Sequence, residues 1–134
     1  MATIINLTPH VLVLLVEDAA GEVVGSVGFG RGARTARFRV IAELPSEGVA
    51  RAATSVRPAG TVEVSGHVVS VTRTVFGEVQ DLPEPQGGVR LVISLITANA
   101  AAAAGRTTDD LLVVGESVRD EGGKIIGVTG FGAV

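Results

Sequence analysis

Apolar positions along this chain fall into short runs divided by glycine, proline and acidic turns. Thr3 to Leu7 is the first run, and Thr8-Pro9 stops it, because a residue before proline is pushed out of the helical region. Val11 to Val16 is a second. Asp18-Ala19-Ala20-Gly21 reads as a turn, followed by a strand from Glu22 to Phe29. Thr35 to Ala42 alternates, with Phe38, Val40 and Ala42 on one side and Arg37 and Arg39 on the other. Leu44 to Gly48 is a turn, and Val49 to Val56 a strand that Pro58-Ala59-Gly60 ends. Thr61–Val64 and His67–Val75 pair as a hairpin around Ser65-Gly66. Leu111 to Val114 is a further strand, and Ser117–Asp120 with Lys124–Thr129 brackets Glu121-Gly122-Gly123 as a second hairpin.

Phe76 to Asp110 organises the rest. Pro83 and Pro85 lack amide donors, so Asp81 to Gly88 runs over the surface and not through a sheet. Val89 to Ile96 is apolar on both faces after Arg90, the pattern of a covered central strand. Composition then turns to alanine, predicting a helix that starts near Thr97, spans Ala100 to Ala104 and stops at Gly105. The expected fold is α+β, mainly β: antiparallel sheets of about nine strands with one alanine-rich helix. A single compact domain covers residues 1–134, with 19–42 as a candidate extended hairpin insertion.

Composition narrows the chemistry. The 134 residues include no Cys, Trp or Tyr and four Phe, which removes disulfides, thiolate chemistry and cysteine-ligated zinc. The net charge is −3, Lys124 is the single lysine, and no basic block occurs. Binding to long nucleic acid rests on many cation–phosphate contacts and is not expected; a small anion held by two or three arginines stays open. Leu91 to Gly105 is uncharged but shorter than the roughly 20 apolar residues a membrane helix needs. With no basic start or cleavage site at the N-terminus, the expectation is a cytoplasmic protein without membrane attachment. A mean hydropathy of +0.47 on so short a chain points to a homo-oligomer.

No catalytic or metal set stands out. Gly28-Phe29-Gly30-Arg31-Gly32 lacks the helix and Lys-Ser/Thr of a phosphate loop, and reads as a mobile loop. His10 and His67 lie far apart with no carboxylate spacing to complete a metal site. Asn99, ahead of five alanines, is either a helix cap or a ligand contact. Arg119-Asp120 is either a local pair opening a turn or part of a binding site, and Arg51 and Glu78 share that double reading.

Five stretches in order carry a family resemblance: Ile5 to His10, Pro45 to Arg51, Phe76 to Val79, Leu82 to Pro85, and Val118 to Gly127. Together they resemble the phage-encoded Thoeris anti-defence sponges, found in phages and actinobacteria. That resemblance implies a protein of an infected or lysogenic host cell that binds cyclic ADP-ribose isomers and, in some members, cyclic di- or trinucleotides. It sequesters them without cleavage, takes no cofactor, and assembles as a dimer or hexamer with ligand sites between subunits. The functional core carries over to Arg119, Asp120 and Asn99. The family stacks an aromatic on the ligand's base; Val89 to Leu95 has none, and Phe76 is the candidate in its place. Chemically, Arg119 would fork donors onto a pyrophosphate and Asp120 would accept from a ribose hydroxyl. Two other readings stay open: a cyclic-nucleotide phosphodiesterase or ring nuclease, and a phage accessory protein without a small ligand.

Overall fold

The computed structural model describes residues 3–28 and 30–134. Among them are eleven strands and one α-helix: β1 (Thr3–Asn6), β2 (Leu12–Glu17), β3 (Val23–Val27), β4 (Arg34–Leu44), β5 (Arg51–Val64), β6 (His67–Gln80), β7 (Val89–Val92), α1 (Leu95–Ala103), β8 (Leu111–Val114), β9 (Ser117–Arg119), β10 (Ile125–Val128) and β11 (Phe131–Ala133). Phe29, in the expected third strand and the glycine loop, lies outside the described residues; Gly30–Gly32 forms a short 3-10 turn. The strands form a four-stranded sheet in the order β1-β7-β8-β11, a closed barrel β10-β2-β4-β3-β9, and the two-stranded ribbon β5-β6.

The fold is mainly β with one short helix, as expected, but its sheets are mixed where antiparallel ones were expected. β1 pairs with β7, β7 with β8, and β10 with β2 in parallel. Alternation fixes which face a residue occupies and carries no strand direction. The directional signal lay elsewhere: two buried runs separated by a helix form a β-α-β crossover, which makes neighbours parallel. Position explains β7 well. It lies between β1 and β8, with Leu91, Val92 and the following Ile93 all at most 2 % exposed.

The helix begins two residues before the expected Thr97. Ser94 is extended (φ −67°, ψ 152°), and its Oγ accepts from the Thr97 amide at 3.2 Å, a serine N-cap. Asn99 is therefore interior and not the cap. Thr97, Ala98 and Ala101 are buried, the alanines with Ala50, Leu91, Ile93 and Leu111 in one core cluster. The Thr97 hydroxyl donates to the Ala50 carbonyl at 3.3 Å, tying α1 to the start of β5. At the other end Gly105 takes φ +84°, and its amide and that of Arg106 close the last turn on Ala102 and Ala101 carbonyls.

The segment from Ala19 to Ala42 supplies β3 and most of β4 to the barrel. Leu15, Val27, Phe38 and Val118 fill the barrel interior, with Phe38 1 % exposed. So few strands enclose little volume. Gly127 shows the tightness: a Cβ there would stand 2.6 Å from Leu15 Cδ1.

Ile5 to His10 holds the two sheets together. Asn6, 1 % exposed, donates from Nδ2 to the carbonyls of His10 (2.7 Å) and Leu44 (2.9 Å). Its Oδ1 accepts from the Thr8 amide (3.0 Å) and hydroxyl (2.6 Å). One amide thus joins the end of β1 to the approach to β2 and the end of β4.

The ribbon is longer than the expected hairpin. β5 runs through Pro58 and does not end there; a register shift between Pro58 and Thr61 absorbs the Ala59-Gly60 pair. The strand has a partner on one side alone, so Pro58's missing donor disrupts no second ladder. Ser65 (φ 51°) and Gly66 (φ 80°) make the tight turn. Every residue from Ala53 to Thr74 is exposed.

Candidate functional site

Arg51 opens β5 opposite Gln80, and Phe76 lies opposite Thr54, so both occupy the foot of the ribbon. Arg51 is exposed and Phe76 half-buried. The helix packs on β5, β6 and β8. Asn99 lies on the outward side of the helix, exposed, in one stripe with Leu95 (59 % exposed) and Ile96 (54 %). Arg51, Phe76 and Asn99 thus belong to the ribbon foot and the helix on it.

Arg119 and Asp120 belong to the barrel. Arg119 ends β9, in register with Ser26 of β3 and Ile125 of β10. Its Nη1 donates to the Gly123 carbonyl at 2.8 Å. Asp120 Oδ1 accepts from the amides of Gly122 (2.9 Å) and Lys124 (3.0 Å), and the Gly123 amide closes on the Asp120 carbonyl (3.0 Å). This is an aspartate-built turn, the local role the sequence suggested. Both side chains are half-buried and no ion pair joins them, so Oδ2 of Asp120 and the rest of the guanidinium stay open to a ligand. The main packing partners of β9 are β3 and β10, not the helix or ribbon. One chain therefore presents the five candidates as two sets.

Two clefts lie elsewhere and contain none of the five. One, of about 490 Å³, lies between the ribbon foot, the proline loop and the end of α1; Glu78, Val79, Leu82, Glu84, Ala104 and Arg106 line it. The other, of about 350 Å³, is lined by Gln86, Gly88, Arg90, Asp109 and Asp110. Between them Arg106 makes a two-pronged bond to Asp110 (2.8 and 2.9 Å) and donates to the Pro83 carbonyl (2.8 Å). Hydrogen bonding from Arg106 holds the Asp110 carboxyl below its usual range, and the same bond raises the guanidinium. Arg90 Nε is buried without a partner.

Sequence reasoning missed Arg106, Asp110 and Glu84, and singled out Glu78 without placing it in the larger cleft. The four-residue interval from Arg106 to Asp110, directly after the glycine that ends the helix, was the available signal for the first pair. The carboxylates carried none, because their cleft depends on how the ribbon foot meets the helix. Among the described residues no three His, Asp or Glu side chains are grouped to hold a metal, and no helix is long and apolar enough to cross a membrane.

Comparison of the chain with family models, curated proteins and solved structures gives no match.

Proposed function

We propose that this protein binds and sequesters a small cyclic nucleotide, a cyclic ADP-ribose isomer, at a site completed between copies of the chain, and does not cleave it. The observation that carries this reading is the division of the candidate contacts into two open sets. Arg119 and Asp120 lie on a turn rigidified by five hydrogen bonds, with donor and acceptor capacity left over. Asn99 stands in an exposed apolar stripe with Leu95 and Ile96, the kind of surface a monomer seldom leaves in water. Two half-sites brought together by a subunit interface suit sequestration, which needs slow release from an enclosed site.

The roles follow from side-chain chemistry. Arg119 meets the pyrophosphate with its free guanidinium edge, and Asp120 Oδ2 accepts from a ribose hydroxyl. Asn99 reads the base edge with one donor and one acceptor, Phe76 offers the base a face, and Arg51 adds a second cation. The direct test incubates protein with a cyclic ADP-ribose isomer, denatures the protein by heat and analyses what is released. Intact ligand with a raised melting temperature beforehand is the expected result. Linearised product would replace this reading with a hydrolytic one, and no thermal shift with any cyclic nucleotide would remove it.

A further inference from the structure

The β5–β6 ribbon is the region its own chain explains least. A lone two-stranded ribbon is marginal in water without a packed face. Here 22 consecutive residues, Ala53 to Thr74, are exposed. Val56 and Val68 are 66 % and 75 % open, and Val62, Val64, Val69 and Val71 are exposed with them. The register also sets Arg57 directly opposite Arg73, and neither takes part in an ion pair. Like charges facing each other across a strand pair destabilise it. Among the described residues, neither the apolar surface nor the doubled positive charge has a counterpart packed against it.

A counterpart of the right sign lies at the foot of the same ribbon. The cleft of about 490 Å³ is lined by Glu78 and Glu84, neither of them in an ion pair, and by the last turn of α1. A helix C-terminus adds partial negative charge. The cleft's own cation, Arg106, is committed to Asp110 and the Pro83 carbonyl. Apolar walls come from Val79, Leu82 and Ala101.

We propose that the ribbon docks on a second copy of this chain, the Arg57–Arg73 pair of each copy entering the Glu78–Glu84 cleft of the other. Arg73 and Glu78 are five residues apart on β6, but the bulge between Phe76 and Val79 takes up one of them, so they share a face about 14 Å apart at ~3.4 Å per ladder step, and a two-fold axis crossing the ribbon between them lets both contacts form at once. The 22 consecutive exposed residues fall within the roughly 20–30 residues a side of a standard interface, ~800 Å² per partner. A polyanion is a poorer occupant: it needs many cationic contacts, and the ribbon offers one facing pair with Glu63 nearby. The inference shares with the proposed function the premise of a homo-oligomer and nothing about the ligand.

A charge exchange tests it, read by light scattering without ligand. Wild type is expected at twice the 13.6 kDa chain mass. One variant carries Arg57→Glu with Arg73→Glu, the other Glu78→Arg with Glu84→Arg; each alone should associate at least tenfold more weakly. Mixed in equal amounts they should form a heterodimer, because both contacts across the axis are then complementary. All four positions are solvent-exposed, and circular dichroism checks that each variant is folded. A wild-type monomer, reversals without effect, or a mixture that stays monomeric overturns the inference. So does a monomer that binds DNA through Arg57 and Arg73. Restored pairing in a protein that binds no cyclic nucleotide would leave this interface standing and remove the proposed function alone.

Discussion

The barrel and the ribbon use the same kind of strand and end in opposite states. β4 in the barrel and β6 in the ribbon both contain stretches that alternate apolar with polar residues. Yet Phe38 on β4 is 1 % exposed while Val68 on β6 is 75 % exposed. Alternation gives a strand a side to bury and does not supply the cover. In the barrel each strand has neighbours on both edges, so inward side chains meet across the axis. In the ribbon each strand has one neighbour and both faces meet water. The proposed second copy would cover the ribbon's faces, and a difference in stability between the two regions of the single chain follows from their unequal cover.

The largest expected effect lies in the barrel. Phe38→Ala removes the largest fully buried side chain from a space too narrow to collapse, and should cost about 3–5 kcal/mol. Val68→Ala, at the open end of the comparison, should stay within roughly 0.5 kcal/mol for the isolated chain. Urea unfolding of both variants, with midpoint and slope fitted together, measures the contrast; equal losses would mean that the ribbon is covered within one chain.

A somewhat smaller loss is expected at the clip between the sheets. Asn6→Asp keeps the shape but replaces two donors with an oxygen facing the carbonyls of His10 and Leu44. Both carbonyls then lose a partner in a buried site, for about 3 kcal/mol by the cost of unpaired buried groups. Thermal unfolding should show the deficit shrinking as acid protonates the new carboxyl.

How far the sequence could be read follows the same division between strand and cover. Val89 to Val92 was legible as a central strand because its run is apolar on both faces after Arg90, while the expected continuation to Ile96 failed, since Ser94 caps the helix and Leu95 opens it. Gly105 was legible as a stop because its positive φ is a local property. The Asp120 turn was legible for the same reason, its bonds reaching four residues at most. The parallel pairing of β1 with β7 was not legible, since the two are far apart in sequence and nothing in either records the other's direction, whereas the helix between β7 and β8 was the available signal for theirs. Pro58-Ala59-Gly60 misled: an end and a bulge use the same residues, and the choice depended on whether β6 continued opposite, as it does. Asn99 misled in its structural role because Ser94, five residues earlier, was the better cap. Of the candidate site, the residue types were legible and their grouping was not. Which elements touch is a property of packing that a linear pattern leaves open.

A loss of about 2 kcal/mol is expected for Arg106→Ala, which strands a largely buried Asp110 and frees the proline loop at Pro83. Lysine should not rescue it, lacking the fork that grips both carboxylate oxygens. The pH dependence has a definite sign. Asp110 has a lowered pKa in the folded state, so its contribution is full at neutral pH and declines as acid titrates the carboxylate, below the ordinary value of 3.8. Acid titration should therefore separate wild type from the Arg106 variant near neutrality and bring them together as the pH falls below 3.8.

The smallest effect on stability, and the largest on ligand, is expected at Arg119. Its one hydrogen bond to the protein goes to the Gly123 carbonyl in an exposed turn that Asp120 already holds with two amides. Removing it should cost roughly 0–1 kcal/mol of stability, the range for an exposed charged group. If the free edge of the guanidinium clamps a pyrophosphate in a desolvated site between subunits, the same truncation should cost on the order of 2–5 kcal/mol of binding, mostly as faster release. Arg119→Ala should therefore melt within a degree or two of wild type and lose the thermal shift given by a cyclic ADP-ribose isomer. Asp120→Asn serves as its control, because the amide oxygen can still accept from Gly122 and Lys124 while the charge is gone. Calorimetry on the pair reads the result: undiminished affinity in Arg119→Ala would take the barrel half out of the site and leave the helix and ribbon foot to account for binding alone.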